Sequence, residues 1–447
     1  MRPLAEHPTV KQFHAQASPV RGDGQATVLD AAWLRQLCLD AGADDVGFLE
    51  LERAELADQR ADILSALPRT KTLVSIVCRM NRENIRTPMR SIANVEFHHA
   101  GDEVNEVGRR IVRALGERNV RALNVTMGFP MEADRWPEKI WVVSHKPVAV
   151  AAGLGQMGIH RNVIHPRFGS FVLLGTVLMD AEVTRYSRPV AYNPCLECKL
   201  CVAACPTGAI GADGHFNFSA CYTHNYREFM GGFTDWVETI AESRDAIAYR
   251  QMVSDRETVS MWQSLSFGAN YKAAYCLSVC PAGEEVIAPF LSDRKQFLDD
   301  VVRPLQDKPE TVYVARGSDA EAHVARRFPR KKTKHVSNGL RPATIRGFLQ
   351  GLQLTFQREQ SAGLDATYQF TFTGEEPAMA TIVIRNKALE VSDGHRGTAN
   401  LRITADSRTW LRFVAKDASL LWALLRGKIR VKGSPLLLRA FAKCFPS

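Results

Sequence analysis

The sequence lacks the long apolar segments and the leader that would carry a chain into or across a membrane. Its longest apolar run, FVLLGTVLM at residues 171–179, is about half as long as a membrane-spanning helix needs to be. The first residues, MRPLAEHPTVKQFHAQ, contain no apolar core and no twin arginine, so they do not predict an export signal. We therefore expect a cytoplasmic protein without integral membrane association.

The sequence also lacks a strong charge imbalance and the composition of a disordered chain. Its 57 Lys and Arg against 48 Asp and Glu give a net charge of +9, which is modest for 447 residues. Hydrophobic residues make up 45%, as in ordinary globular proteins, and the length indicates two or three domains. No aromatic residues interleave with basic ones in a groove-like pattern, so we expect no nucleic-acid partner.

Strand and helix patterns alternate in the first part of the chain. Apolar runs at 70–78, 120–127 and 170–178 are typical of buried strands, and helical periodicity covers 29–41 and 102–117. This alternation predicts an α/β domain. The whole chain divides into a flexible arm (1–27), the α/β domain (28–185), a cysteine-rich module with a helical insertion (186–302), a polar linker (303–337) and a C-terminal α+β domain (338–447). The basic run 326–334 is interpreted as solvated linker, the alternative being contact with acidic lipid headgroups or an acidic electron donor.

The ten cysteines are unevenly distributed. Seven lie between Cys195 and Cys280, while Cys38, Cys78 and Cys444 lie on apolar stretches, where buried free thiols are common. A large chain without an export signal is not expected to contain disulfides. The cluster of cysteines therefore points to metal.

One cysteine run has the spacing of a bacterial ferredoxin. In CLECKLCVAACP, Cys195, Cys198 and Cys201 are followed by Cys205 and a proline. In this pattern three thiolates bind one iron–sulfur cluster and the fourth binds another, whereas zinc prefers two CxxC pairs. A second loop supplies Cys276 and Cys280-Pro. In the expected crossover, the Cys-Pro cysteine of each loop binds the cluster of the other loop. The first set, for a [4Fe–4S] cluster, is then Cys195, Cys198, Cys201 and Cys280. The second set is Cys205, Cys221 and Cys276.

The second set is one cysteine short. Its usual fourth cysteine would lie three residues before Cys276, where the chain has Ala273. Three alternatives follow: a [3Fe–4S] cluster, a [4Fe–4S] cluster with a non-cysteine ligand such as His224 or water, or no second cluster, with Cys221 merely structural.

A glycine motif precedes the cysteines. Gly153, Gly155 and Gly158 fit G-x-G-x-x-G, but Pro166 and the absence of helical periodicity argue against a dinucleotide loop. A tight turn against a large flat cofactor fits better. His145, His160 and His165 flank the turn and are candidate catalytic residues, as proton donors or as ligands of cobalt or iron. The alternative for each is a hydrogen-bonded structural histidine.

Two stretches together carry a family resemblance. AAGLGQMGIHRNVIHPRFGSFVLLGTVLMD (151–180), followed by CLECKLCVAACPTGAI (195–210), resembles epoxyqueuosine reductases and reductive dehalogenases. The resemblance implies a nitroreductase-like domain that holds a corrinoid (cobalamin) beside a ferredoxin-like two-cluster module. It implies corrinoid contacts for five glycines: Gly153, Gly155, Gly158, Gly169 and Gly175. Lys139 stands where epoxyqueuosine reductases have an aspartate, which argues against epoxyqueuosine as the substrate.

The C-terminal region resembles the sterol carrier protein type 2 family. The resemblance rests on AGLDATYQFTFTG, TIVIRNKALEV, NLRITADSRTWLRFV and GKIRVKG, between residues 362 and 433. It implies a sheet covered by helices around an apolar tunnel that binds fatty acyl chains or sterols. Tyr368, Phe370 and Phe372 would line such a tunnel, the alternative being an ordinary core.

Together these features predict an iron–sulfur oxidoreductase with an appended lipid-binding domain. Electrons from a ferredoxin or flavodoxin would pass through the clusters to a corrinoid, and a bond in an apolar or lipid-like substrate would be cleaved reductively. The alternative is a non-catalytic iron–sulfur electron-transfer protein with a lipid-binding or lipid-sensing domain.

Overall fold

The computed structural model describes residues 3–15 and 27–446. Residues 1–2 and 16–26 of the predicted flexible arm lie outside these ranges. Its described part contains a short helix, α1 (Pro8–Ala15).

The first region is built on a four-stranded sheet with strand order β2-β3-β7-β4, in which every neighbouring pair is antiparallel. Its strands, with four short flanking ones, are β1 (Val28–Leu29), β2 (Asp45–Glu50), β3 (Thr72–Arg79), β4 (Ala122–Val125), β5 (Gln156–Met157), β6 (Val163–Ile164), β7 (Val172–Met179) and β8 (Glu182–Val183). Its helices are α2 (Ala31–Asp40), α3 (Arg60–Ala66), α4 (Arg82–Arg86), α5 (Arg90–Glu117) and α6 (His145–Ala151).

The two central strands, β3 and β7, are buried on both faces, which explains their nearly continuous apolar sequences. Helix α5 packs against one face of the sheet through Val104, Val107 and Ile111, and α6 packs against the other through Val148 and Ala149. The predicted mixed α/β architecture is confirmed.

The cysteine-rich region is almost entirely helical between its two loops, as the sequence predicts. Its helices are α7 (Leu200–Ala204), α8 (Phe218–Asn225), α9 (Gly231–Glu242), α10 (Ala246–Met252), α11 (Asp255–Phe267), α12 (Tyr275–Ser278), α13 (Ala288–Ser292), α14 (Arg294–Phe297) and α15 (Arg303–Gln306), with a π-helical turn, Leu298–Val302, before the last. Ser254 and Glu257 form a capping box at the start of α11.

The segment predicted as a polar linker is instead folded. It contains β9 (Thr311–Val314), α16 (Asp319–Arg327) and β10 (Lys332–His335), and β9 and β10 pair in parallel. A small core of Val312, Val314, Val324 and Phe328 holds the unit together. The composition of the segment misleads because its charged side chains have partners. Lys331 pairs with Glu310 within the segment, and Lys334 pairs with Glu257 on α11.

The C-terminal region is a five-stranded sheet with order β13-β12-β11-β14-β15, in which only β11 and β14 run parallel. Its elements are α17 (Ile345–Thr355), β11 (Ala366–Thr373), β12 (Ala378–Arg385), β13 (Ala388–Asp393), β14 (Leu401–Asp406), α18 (Ser407–Val414), α19 (Leu420–Leu425), β15 (Ile429–Gly433) and α20 (Pro435–Lys443).

The aromatic stripe on β11 forms a packed core. Tyr368, Phe370 and Phe372 are fully buried, and the Phe370 ring centroid lies 5.3 Å from that of Trp410 and 5.6 Å from that of Phe441. This is the ordinary-core alternative of the sequence analysis. Over the whole described part of the chain, no helix combines the length and the apolar character needed to cross a bilayer.

Candidate metal centre

Four cysteines from two distant loops line one cavity. Cys195, Cys198, Cys201 and Cys280 line one small cavity that is partly open to solvent. Between the first cysteines, Glu197 and Lys199 have φ angles of 48° and 61°, a left-handed conformation that turns the loop around the cavity. These four are the set that the crossover pattern assigns to one cluster.

The electrostatics of these thiols suit a cationic metal cluster. Burial raises the pKa of Cys280 to about 11, and it also raises the pKa of Cys198 and Cys201, with a further rise from the neighbouring cysteines. Converging thiolates repel one another and are poorly solvated here, so iron would supply the charge that stabilises them. The residues therefore fit an iron–sulfur cluster.

The second set of cysteines also lies together. Burial and the nearby Cys205 raise the pKa of Cys221 above its usual range and that of Cys276 to about 12. Cys221 and Cys276 are each only partly exposed to solvent. Asn162 Nδ2 lies 3.8 Å from the Cys276 sulfur.

The fourth corner of the second set has no thiol. Ala273 is buried, packs in the same apolar cluster as Cys205 and Cys276, and donates its N–H to Asn225 Oδ1 at 3.0 Å. His224, the alternative ligand, accepts the Tyr313 N–H at Nδ1 and stacks on Tyr313, while its buried Nε2 has no hydrogen-bond partner among the described residues. Within the described ranges, no three His, Cys, Asp or Glu side chains are grouped to hold a single metal ion.

Two of the three predicted catalytic histidines have structural hydrogen bonds at both ring nitrogens. His145 Nδ1 lies 2.8 Å from Thr176 Oγ1 and its Nε2 lies 3.0 Å from the Thr126 carbonyl oxygen. His165 Nε2 lies 3.0 Å from Asp45 Oδ2, and its Nδ1 accepts N–H groups of the following turn. Neither ring has a nitrogen left for a substrate or a metal.

His160 is different. Its Nδ1 accepts the Asn162 N–H at 3.1 Å, but its buried Nε2 has no hydrogen-bond partner in the part of the chain that the structure describes. The residue lines the same cavity as the first four cysteines. Of the three predicted histidines, it is the one that the structure brings to the metal centre.

At the five glycines predicted to contact a corrinoid, the direction that a side chain would take is occupied by the protein itself. A side-chain carbon at Gly153 would lie 2.2 Å from the Arg188 carbonyl oxygen, at Gly155 2.4 Å from that of Ile164 and at Gly169 2.1 Å from that of Ala282. The same atom at Gly158 would meet Ile164 and His160, and at Gly175 it would meet Val104 and Ile76. Close packing within the chain is therefore sufficient to require glycine at these positions.

Lys146 and Asn162 lie near the second set of cysteines but belong to no recognisable sequence motif. Lys146 Nζ donates to Asn162 Oδ1 at 2.7 Å and to the Arg161 carbonyl oxygen at 2.9 Å. Its positive charge acts on Cys221 and Cys276 and opposes the rise of their pKa values. Lys146 lies next to His145 in the sequence, but no spacing rule connects it to the cysteines.

Comparison with known proteins identifies two relationships. Residues 350–446 match the SCP-2 sterol transfer family. The chain is 27% identical to the epoxyqueuosine reductase of Vibrio cholerae over 139 residues, which cover 31% of this chain and 36% of the relative. It is 26% identical to the Escherichia coli enzyme over 186 residues, 40% of this chain and 46% of the relative. The chain thus spans less than half the length of these curated relatives.

Similar solved structures include an epoxyqueuosine reductase with an epoxyqueuosine-modified tRNA-Tyr stem loop (TM-score 0.33, 19% identity, covering 43% of this chain and 56% of that one). Another is the structure of a reductive dehalogenase that suggests a mechanism for B12-dependent dehalogenation (TM-score 0.39, 14% identity, covering 64% of this chain and 36% of that one). The first corrects the sequence-based prediction of no nucleic-acid partner, because a protein similar to this chain binds tRNA. The chain therefore joins a region similar to epoxyqueuosine reductases to a C-terminal SCP2 domain.

Proposed function

We propose that this chain is an iron–sulfur reductase. The observation that carries the proposal is the convergence of Cys195, Cys198 and Cys201 with the distant Cys280 on one cavity. A second set, Cys205, Cys221 and Cys276, lies close enough for its members to perturb one another's pKa values. Two iron–sulfur clusters held by these sets would supply one-electron transfer.

The exposed edge of the first set is the expected entry point for electrons. The first cavity opens beside Leu196 and Glu197, which are exposed to solvent. An electron donor would therefore approach the first set on this side.

The proposed electron transfer depends on the two sets of cysteines alone. At the five glycines, the direction that a side chain would take is occupied by the chain's own atoms. The cobalt content of the purified protein is a separate measurement.

The relatives suggest one substrate and the C-terminal domain suggests another. Epoxyqueuosine reductases act on a modified base, and one binds a tRNA stem loop, whereas the match of residues 350–446 to the SCP-2 sterol transfer family favours an apolar substrate.

Lys139, at the position where epoxyqueuosine reductases have an aspartate, pairs with Asp62 at 2.8 Å. Hydrogen bonds from Lys139 and Arg135 hold the pKa of Asp62 below its usual range, so this carboxylate is ionised at neutral pH and is not a proton donor. We therefore favour an apolar substrate over epoxyqueuosine, and turnover of an epoxyqueuosine-modified stem loop would contradict this preference.

A second candidate function is non-catalytic electron transfer coupled to lipid sensing. The specific observation in its favour is that both nitrogens of His145 and His165 are hydrogen-bonded within the fold. Electron transfer without turnover of either substrate class would support this function.

Removal of one cysteine tests the cluster assignment. Cys280→Ala should lose about half of the bound iron, because a cubane cluster with three thiolates and an open corner is labile. Cys444→Ala is the matched control, since Cys444 is equally buried but lies in the C-terminal core. Iron and sulfide are measured in anaerobically purified protein, and equal iron in both variants would contradict the assignment.

Ala273→Cys tests the second set. Ala273 shares an apolar cluster with Cys205 and Cys276, so a thiol there would supply the fourth corner. We expect electron paramagnetic resonance to show conversion of a three-iron signal into a four-iron cluster. An unchanged spectrum with a retained three-iron signal would show that position 273 does not face the second cluster.

A further inference from the structure

His160 is a buried hydrogen-bond donor with no acceptor in the described protein. The residue is 4% exposed, and its Nδ1 accepts the backbone N–H of Asn162. Because Nδ1 is an acceptor, the single proton of the neutral ring must be on Nε2. Burial lowers the pKa of His160 to about 4, so the ring is neutral at physiological pH.

The surroundings hold this ring in place. Gly158 is needed beside it, because a side-chain carbon there would lie 2.9 Å from His160 Cε1. A buried N–H without an acceptor is energetically unfavourable. Yet the ring forms part of the wall that also carries Cys195, Cys198, Cys201 and Cys280. The sulfur atoms of a cluster in this cavity are acceptors that would satisfy the donor.

We propose that His160 donates its Nε2 hydrogen to a sulfur of the cluster held by these four cysteines and thereby raises the reduction potential of that cluster. This inference rests on the proposed iron–sulfur function. The hydrogen bond stabilises the more negative, reduced cluster, so it favours uptake of an electron. His160 is a positioning and tuning residue rather than a metal ligand.

The test is a potentiometric titration of anaerobically purified full-length protein, followed by electron paramagnetic resonance. His160→Leu should lower the midpoint potential of the first cluster at unchanged iron content, and His160→Gln, which keeps an N–H donor, should restore part of the shift. His98→Gln is the control, because His98 lies on α5 and bonds to the Ala269 carbonyl. Retained iron with an unchanged potential in His160→Leu would overturn the inference.

A second readout uses the unmutated protein, so it does not depend on variants that load iron. With ¹⁵N-labelled histidine, pulsed electron paramagnetic resonance should detect a nitrogen coupled to the reduced first cluster. A loaded protein without that coupling would refute the role of His160. A wild-type chain that binds no iron would instead refute the proposed function itself.

A different observation concerns the outer surface of the C-terminal domain. Helix α19 exposes Leu421, Trp422 and Leu425 at 65%, 61% and 69%, and α20 exposes Leu436 at 74%. On the inner side, Ala423 and Phe441 anchor both helices in the core. Large apolar side chains are thus presented to solvent by two elements that are themselves well packed.

The charged residues of the segment that carries these side chains are all basic. From residue 419 to 447 the sequence contains no Asp or Glu and six basic residues: Arg426, Lys428, Arg430, Lys432, Arg439 and Lys443. None of the six has an ion-pair partner within the described ranges. Arg426 lies over the Trp422 ring at 5.8 Å, and β15, which carries two of the cations, is the edge strand of its sheet.

We infer that this surface, formed by α19, β15 and the start of α20, binds the face of an anionic lipid bilayer. Leucine and tryptophan side chains insert at the level of the headgroups, and the surrounding cations bind acidic headgroups. A charge of one sign around an apolar centre matches an anionic membrane, whereas protein surfaces normally mix both signs.

Vesicle co-sedimentation of the full-length chain tests the surface. Binding to phosphatidylcholine vesicles containing phosphatidylglycerol should exceed binding to pure phosphatidylcholine and should fall as salt is added. Trp422→Ser with Leu425→Ser should weaken binding by at least about ten-fold, from the apolar area lost to the membrane. Ile247→Ser is the matched control, because Ile247 is 70% exposed on α10 in another region. No preference for anionic vesicles, an equal loss in the control, or a self-association that the double variant abolishes would overturn the inference.

Discussion

Hydrogen bonding divides the histidines of this chain into different roles. His145 and His165 use both ring nitrogens within the fold, and they fix a helix start and a turn. His160 and His224 each use only Nδ1, as an acceptor, and each has a buried Nε2 without a partner among the described residues. What distinguishes these last two is location, since His160 lies beside cysteines and His224 against β9.

The burial of His224 predicts a loss of stability in acid. Burial lowers its pKa to about 4, whereas the unfolded chain has an ordinary histidine, so the unfolded state binds more protons below about pH 6.5. The free energy of unfolding should therefore fall as the pH falls from 6.5 to about 4, by about 3 kcal/mol from this residue. His224→Asn keeps an acceptor for the Tyr313 N–H and does not titrate, so its denaturation midpoint should fall less over this range.

The matched control for that experiment is His99→Asn, at an exposed position of α5. Urea denaturation at pH 7, 6 and 5 gives the comparison. An acid loss of equal size in wild type and His224→Asn would show that other groups are responsible.

At the scale of elements, the folded segment 311–335 supports the second cysteine loop. Tyr275, immediately before Cys276, donates its hydroxyl to Glu310 at 2.7 Å, and Lys331 donates to the other oxygen of the same carboxylate at 2.7 Å. Burial alone would raise the pKa of Glu310, but His224 and Lys331 hold it below its ordinary value. Lys331 also donates to the carbonyl oxygens of Leu305 and Lys308. A buried charge network thus connects β9 and β10 to the start of α12.

Replacing Lys331 should lower the free energy of unfolding, because the buried network then lacks a positive charge. Lys331→Met leaves a buried carboxylate without its main counterion, and we expect a loss of about 3 kcal/mol in the free energy of unfolding. The double variant Lys331→Met with Glu310→Gln should recover much of the loss, because no charge is then left unpaired. Lys332→Met, at an exposed neighbouring position, is the control. A denaturation curve for Lys331→Met that matches the control would show that the pair contributes nothing.

The elements that the sequence predicts well are those whose pattern reflects direct burial. The apolar runs at 70–78 and 170–178 agree within two residues with β3 and β7. The stretch TIVIRNKALEV is less transparent, because β12 and β13 form a hairpin there. Its turn residues, Asn386 and Lys387, both have left-handed φ angles, of 51° and 59°, without the Asn-Gly signal that usually marks such a turn.

The candidate site likewise contains some features that the sequence predicts and others that it does not. The spacing of Cys195, Cys198 and Cys201 predicts that these three converge, because they lie in one short loop, and the crossover pattern of the two Cys-Pro motifs adds Cys280. The environment of the five glycines was not predictable, because their neighbours, such as Arg188 and Ala282, come from remote parts of the chain. Tertiary contacts of this kind leave no periodic trace in the sequence.

At the scale of the whole molecule, one buried side chain connects the C-terminal domain to the rest. Gln357 Oε1 accepts from Asn217 Nδ2 at 3.2 Å and from the Asp319 N–H at 2.9 Å, so it contacts both the cysteine-rich region and the 311–335 unit. Its backbone N–H donates to the Cys444 carbonyl oxygen, which ties the same residue to the end of α20. Arg358 adds an ion pair with Asp213.

This junction predicts that the C-terminal domain and the cysteine-rich region unfold together. Gln357→Leu removes the acceptor and leaves the Asn217 amide and the Asp319 N–H buried without a partner, at a cost on the order of 1–3 kcal/mol for each. We expect the single thermal transition of the wild type to separate into two in the variant. The tryptophan fluorescence of the C-terminal domain should then change at a different temperature from the loss of cluster absorbance. Gln353→Leu, on the exposed side of α17, should retain one transition. Two separate transitions already in the wild type would show that the regions are energetically independent despite the contacts of Gln357.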